Sequence, residues 1–316
     1  MPVRPLSTKY TYGPVPSRRL GRSLGVDLVP AKTCCFDCVY CQLGPTARTT
    51  LQRADYVPVE QVVSEVCARL ADGPRPDYVT LGGSGEPTLH LSFGDVAAGI
   101  RECSDVPIAL LTNGALFHLP EVRAACHAVD LILPSLDAGD EETLRRVNRP
   151  HPDLSIEQLV DGLVALRREF QGQIWLEVFI VEAVNSSREQ VLAMAEAIGR
   201  IGPDRVQINT AVRPPADPGV KAAPPERLEE VRALLGERAE VIVPGRGFEE
   251  LPEAALRKDE LLAVLRRRPC TLRDLADGLG AHPNEVLKYV RALLDEGLIR
   301  RRQRRYETYY EAAPEA

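Results

Sequence analysis

At 316 residues, 44% of them hydrophobic, the chain is long enough to bury one large core, or one core and a small appended module, without disulfide staples. Its net charge of -6 is unevenly shared: residues 255–316 carry 13 basic and 10 acidic side chains, and the remainder 26 and 35, which argues against non-specific nucleic-acid binding by the acidic body. No apolar run of membrane-spanning length occurs and MPVRPLSTKY lacks the apolar stretch of a signal, so the expectation is a cytoplasmic protein with no membrane partner.

In chain order, a strand near 22–29 (RSLGVDLV) leads into a cysteine-rich stretch. Then β-branched or leucine-rich runs at 78–82, 107–112, 130–135, 174–181 and 205–210 alternate with helical patterns at 59–71, 92–102, 120–128, 140–147, 155–170 and 187–201. This is the rhythm of βα units around a parallel sheet. Six units are too few for a closed eight-stranded barrel, so the expected fold is α/β, an open partial (β/α)6 TIM-like barrel with its functional loops at the C-terminal ends of the strands. The proline-rich 212–224 and the following residues to 254 read as a closing segment, within which VIVPGRG at 241–247 is an edge strand or a connector.

Residues 255–316 read as a second domain after 1–254. Helices near 257–267, from Thr271, and over 283–296 precede the turn GLIRRRQRRYETYYEA, which is the order of a winged helix-turn-helix. Removal of this module is expected to spare the chemistry of the barrel and to weaken substrate capture.

Of eight cysteines, Cys67, Cys103, Cys126 and Cys270 are scattered and read as small buried core residues, whereas Cys34, Cys35, Cys38 and Cys41 crowd into TCCFDCVYCQLG. Cys34, Cys38 and Cys41 can hold three irons of a four-iron cluster and leave the fourth without a protein ligand. An open coordination position marks a catalytic rather than a structural centre. The alternative is a zinc site using all four cysteines, which is awkward for ligands within eight residues, two of them adjacent.

This spacing, with Tyr40 before the last cysteine, resembles the radical S-adenosylmethionine (SAM) superfamily. The resemblance implies a [4Fe-4S] cluster, SAM as cofactor chelating the open iron through its methionyl group, and Tyr40 packed near the adenine. An electron donor such as flavodoxin or ferredoxin is implied with them. LGGSGEPTLH at 81–90 is similar to the superfamily's GGE-like motif, with Ser84 inserted, and assigns Gly83, Gly85 and Glu86 to the methionyl amino group. Strand-end Thr112 and Asn113 in LLTNG, Ser135 and Asp137 in LPSLDA, Glu177 in IWLEVFIVEAVN and Asn209 in VQINTAVRPP suit the cofactor's ribose and carboxylate, with turn chemistry as the plain alternative. Arg149 and His151 in VNRPHPD, and Arg213, are candidate catalytic residues toward an anionic substrate, or else parts of a solvated loop.

More specifically, YGPVPSRRLGRSLGVDLVP with the cysteine loop, GSGEPTLH, SLDA, NRPH and TAVRPP resembles, over about residues 10–215, an iron–sulfur oxidoreductase group related to the tRNA wyosine-base (4-demethylwyosine) synthase. Two departures separate this chain from the wyosine reaction. No cysteine precedes Cys34 to hold a second cluster, and no lysine lies between Lys32 and Lys221 to form a Schiff base. The substrate is therefore a different or unestablished one. It is RNA, if the wing Arg300, Arg301, Arg302, Arg304 and Arg305 grips phosphate while Tyr306, Tyr309 and Tyr310 stack, or a protein or peptide docked on the module. A non-enzymatic reading, an iron–sulfur transcription regulator, has no use for the glycine-rich loop or the ring of strand-end polar residues.

Overall fold

The structure is a computed structural model that describes residues 10–211, 217, 219–242, 258–279, 283–304 and 307–313. Arg213, Arg305 and Tyr306 lie outside the described residues.

Eight strands form one sheet in sequence order: β1 (Thr11–Ser17), β2 (Gly21–Val26), β3 (Tyr78–Leu81), β4 (Ile108–Thr112), β5 (Leu131–Pro134), β6 (Gln173–Ile180), β7 (Arg205–Thr210) and β8 (Ala239–Val241). From β2 to β8 every pairing is parallel, and β1 alone runs antiparallel, with an irregularity between Tyr12 and Val15. Most residues of β2 to β7 are buried, as in a sheet covered by helices, and Ser23, Thr80, Glu177 and Asn209 are polar positions on the side that lines the cavity.

The helices between the strands are α1 (Val59–Asp72), α2 (Phe93–Cys103), α3 (Pro120–Ala124), α4 (Glu141–Val147), α5 (Ile156–Glu169), α6 (Arg188–Ile201) and α7 (Pro225–Leu235). Their starts are written locally. Asp140 caps α4, and Ser155 and Ser187 open α5 and α6 with capping boxes to Gln158 and Gln190; each satisfies otherwise orphaned first-turn N–H groups. Pro120 and Pro225 occupy first-turn positions of α3 and α7, where a missing N–H costs nothing.

The expected strands β2 to β7 and their helices are present, and three elements exceed the expectation. β1 escaped because Gly13, Pro14 and Pro16 read as breakers, yet an edge strand tolerates proline. Within the expected closing segment the chain forms α7 and then β8, an edge strand ending at Val241; residues 243–247 of VIVPGRG lie outside the described residues. The sheet is curled: Arg18 and Arg19, in the β1–β2 turn, reach Asn209 on β7 and Glu177 on β6.

The C-terminal residues form α8 (Lys258–Arg267), β9 (Cys270–Thr271), α9 (Leu272–Leu279), α10 (Pro283–Asp295), β10 (Ile299–Arg304) and β11 (Glu307–Ala312), with the three short strands paired β10-β11-β9. Their apolar cluster, built on Leu261, Leu265, Leu275, Val290 and Ile299, also takes in Val15 of β1. No helix among the described residues is long and apolar enough to cross a membrane.

One cysteine expectation is overturned. Cys67 and Cys103 are bonded as a disulfide across α1 and α2, with Cα atoms 6.0 Å apart, because the two helices lie side by side on the sheet. Cys126 and Cys270 are buried and not disulfide-bonded, as expected.

Candidate active site

A cavity of about 400 Å³ lies at the C-terminal ends of the parallel strands and reaches down into the curled sheet. Its wall includes Cys34, Cys38, Cys41 and Tyr40 from the loop after β2, and Gly82–Glu86 after β3. Thr112 at the end of β4, Asn113 after it, Ser135 after β5, Glu177 and Phe179 on β6, and Asn209 on β7 complete that side. The loop placement follows from topology, since parallel strands deliver all their following loops to one end.

The four clustered cysteines separate into three and one. Cys35 is fully buried outside the cavity wall, with Asn113 Nδ2 3.1 Å from its sulfur. Its thiol hydrogen-bonds Cys34; this bond is the chief influence holding the Cys34 thiol below its ordinary range, while burial pushes Cys35 well up. Each cavity-facing sulfur has its own donor: Asn113 Nδ2 at 3.6 Å and the Phe36 N–H at 3.4 Å for Cys34, Asn148 Nδ2 at 3.4 Å for Cys38, and Lys32 Nζ at 3.2 Å for Cys41.

The donor set fits a cluster better than a single ion. Among the described residues no three Cys, His, Asp or Glu side chains converge on one ion-sized point, and Cys35, unlike Cys34, Cys38 and Cys41, does not line the cavity. A four-iron cluster takes one thiolate at each of several irons, so its ligands surround a volume rather than a point. Hydrogen bonds to the sulfurs are among the features that set such a cluster's potential.

Lys32 and Arg149 both have left-handed backbones, with φ of 64° and 45°, strained for residues with side chains, and both brace the cysteine loop. Lys32 N donates to Ser84 O at 2.6 Å and Glu86 N to Thr33 O at 2.9 Å, stitching the glycine loop to the cysteine loop. Glycine is required there by the chain itself. A Cβ on Gly85 would lie 2.2 Å from Thr33 O, and one on Gly83 would lie 2.3 Å from Asp27 Oδ1. The close approach anticipated for a ligand is made by the protein's own backbone and by Asp27.

Glu86 lines the wall but its carboxylate is spent internally. It accepts from Thr88 N and Oγ1, Thr112 Oγ1 and Asn113 N at 2.6–3.1 Å, and burial still raises its pKa. Thr112 is likewise engaged, by Glu86 and the Gly114 N–H.

Tyr40 stacks on Phe179, ring centroids 3.9 Å apart and planes 13° from parallel, and its hydroxyl donates to Asp137. Asp137 sits behind the wall, 2% exposed, also accepting from Asn148 Nδ2 at 2.7 Å and Phe179 N at 2.8 Å. Burial pushes its pKa up to about 6. Glu177 pairs with Arg19 at 2.8 Å and accepts from Asn209 Nδ2 at 3.0 Å, while Asn209 Oδ1 accepts from Arg18 at 3.0 Å. Ser135 borders the cavity next to Glu177.

The structure places Arg149 and His151 outside this wall. Arg149 is half exposed and pairs with Asp37 at 3.8 Å and Asp217 at 3.5 Å; His151 donates its backbone N–H to Cys35 O at 2.8 Å and lies beside Asp153. They hold the cysteine loop from its outer side. Sequence reading missed Asn148, Lys32, Arg18 and Arg19, and also Arg267 and Arg268 from the end of α8, which join the same wall. Asn148 and the Arg18–Arg19 pair carried a signal, their places in VNRPH and PSRRLG; Arg267 and Arg268 come from a distant segment and carried none.

A family model described as the radical SAM superfamily matches residues 28–198. A UPF0026 protein of Methanocaldococcus jannaschii is 34% identical over 228 residues, 72% of this chain and 71% of its own. A Brachyspira hyodysenteriae protein named GTPase Obg is 33% identical over 298 residues, 93% of this chain, which spans only 44% of that relative's length. Among solved structures, a radical SAM methyltransferase from Sphaerobacter thermophilus superposes with a TM-score of 0.51 at 18% identity, covering 69% of this chain and 65% of its own, a likeness of fold. With three cysteines opening on one cavity at the strand ends and the matched segment spanning that loop and strands β3 to β6, this chain belongs to the radical SAM superfamily, whose members use a [4Fe-4S] cluster and SAM.

Proposed function

We propose that this protein reductively cleaves SAM within a partial (β/α)6 barrel and uses the product radical on a substrate brought by a C-terminal winged helix, residues 255–316, appended to the barrel of residues 1–254. The observation that carries this reading is the division of the cysteines: Cys34, Cys38 and Cys41 face the cavity, each with its own N–H donor, while Cys35 is buried away from it. A bound cluster would supply the electron that breaks the sulfur–C5′ bond of SAM, releasing methionine and a 5′-deoxyadenosyl radical that abstracts hydrogen; flavodoxin or ferredoxin is the class of donor that would recharge it.

The chain's own residues position the cofactor and exclude water. Tyr40, fixed by Phe179 and Asp137, offers a rigid flat surface to the adenine. Ser135 offers its hydroxyl to the ribose and methionyl groups, Glu177 and Asn209, paired with Arg19, Arg18 and each other, form the polar wall beside it, and the Gly83–Gly85 backbone lines their approach. Glu86, Thr112 and Asp137, with their polar atoms already engaged, hold these groups in place without touching the cofactor. Asn113 and Asn148 serve the sulfurs.

Of the two substrate classes, the described wing favours a protein or peptide over RNA. Tyr309 and Tyr310 are buried at 4% and 8% exposure, so neither ring is open for a base to stack on, and Arg300 and Arg302 both pair with Glu311. Anaerobically reconstituted protein given reductant and SAM is expected to yield 5′-deoxyadenosine, read by chromatography and mass. No 5′-deoxyadenosine, with or without cell extract, would contradict the enzyme reading. Anaerobic capture on the full chain, with bound material sorted into nucleic acid and protein, tests the substrate class.

A further inference from the structure

The C-terminal helices are built into the back of the cofactor wall. Arg267, at the end of α8, points both Nε and Nη2 at Asp27 Oδ2, 2.5 Å away, and its guanidinium lies 4.3 Å over the ring of Tyr12. The carboxylate is completely buried and the arginine 10% exposed. Both partners of Arg267 reach the glycine loop: Asp27 Oδ1 accepts the Ser84 N–H at 2.7 Å, and the Tyr12 hydroxyl donates to Gly82 O at 2.8 Å. Gly83, between them, has the space a Cβ would need filled by Asp27 Oδ1 and the Tyr12 hydroxyl. A second tie, Glu260 of α8 to Arg69 of α1 at 2.7 Å, fixes the helix against the barrel.

We propose that Arg267 is a positioning residue for the SAM loop: acting through Asp27 and Tyr12, it fixes the backbone of Gly82–Ser84, so the C-terminal helices set the barrel's affinity for its cofactor. The inference rests on the reading of that loop as part of the SAM site. Its physical basis is the cost of a buried carboxylate with no cation beside it. Without Arg267, Asp27 must take up a proton or draw in water, and either change releases the face that holds Ser84. Removal of residues 255–316 therefore disturbs cofactor binding as well as substrate capture, contrary to the independent module expected from sequence.

The test is the dissociation constant of SAM for the cluster-loaded full-length protein, read anaerobically by equilibrium dialysis of radiolabelled cofactor, with iron content measured on the same samples. Arg267→Met is expected to weaken binding roughly 10–100-fold, the scale on which outer-layer partners act at metal sites, with iron content unchanged. Asp27→Asn combined with Arg267→Met is expected to recover most of the loss, because a neutral amide needs no cation and its oxygen still accepts from Ser84; general damage to the fold would not be rescued this way. Tyr12→Phe keeps the ring under Arg267, removes only the bond to Gly82 and is expected to weaken binding about five-fold. It gives a readout even if Arg267→Met does not fold.

Wild-type affinity in Arg267→Met or Tyr12→Phe, or a double variant no better than Arg267→Met, would overturn the inference. Failure of the wild type itself to bind SAM would overturn the functional reading on which it rests.

Discussion

Replacing Gly85 by alanine tests how closely the two loops of the site depend on each other. The added methyl would stand 2.2 Å from Thr33 O, 2.8 Å from Val29 Cγ2 and 3.0 Å from Thr33 C. The nearest of these is a backbone oxygen one residue before Cys34, which cannot swing aside as the end of a long side chain would. The glycine loop must move back by roughly 1 Å to restore ordinary contact, and overpacking of this kind costs ~1–3 kcal/mol. That movement also breaks the Glu86 N–H to Thr33 O hydrogen bond, worth ~1 kcal/mol. A total of ~2–4 kcal/mol corresponds, for a chain of 316 residues, to a fall in melting temperature of roughly 3–6 °C. Thermal unfolding followed by circular dichroism, with iron content and SAM binding on the same preparation, is the assay; all three should fall together. A Gly85→Ala protein that melts with the wild type and binds SAM equally well would show that the packing between these loops is not tight.

Cys34→Ala, Cys38→Ala and Cys41→Ala should each lose the iron and the visible absorbance of the reconstituted protein, whereas Cys35→Ala should keep both; equal loss in all four would point to a four-cysteine site. Asp137 has a pKa of about 6 in the folded chain against an ordinary 3.8, so between these values the native state holds a proton that the unfolded chain has released. Its contribution is therefore fully present below pH 3.8 and is lost as pH rises through 6, by ~3 kcal/mol; urea midpoints of Asp137→Asn at pH 4.5 and pH 7 should lack this part of the wild-type slope, and an unchanged slope would refute it. The Cys67–Cys103 bond closes a 36-residue separation, so Cys67→Ala with Cys103→Ala should lower stability by ~3–4 kcal/mol under oxidising conditions, and a wild-type denaturation midpoint would argue against the bond.

Local patterns were read well because they are local. Strands β2 to β7 are short apolar runs bounded by glycine, proline and aspartate, and the capped helices announce their starts with Asp140, Ser155 and Ser187. The failures have a common cause in long-range context. Proline in β1 is harmless only because the strand is an edge, and the disulfide depends on two helices lying adjacent. In the site, the cysteine spacing pointed to the three cysteines that line the cavity, and the glycine motif to a loop beside them. Neither disclosed that Glu86 and Asp137 are committed to internal hydrogen bonds, nor that Arg149 and His151 face outward. The participation of Arg267, 240 residues from Asp27, follows only from the packing of α8 against β1.

The central claim is that the polypeptide leaves one iron open and that SAM takes it. The most direct measurement is pulsed electron paramagnetic resonance of the reduced, reconstituted protein with SAM carrying ¹⁵N in its amino group. A resolved nitrogen hyperfine coupling to the cluster is the result predicted. A cluster spectrum that the cofactor does not alter, with no nitrogen coupling, would contradict the account.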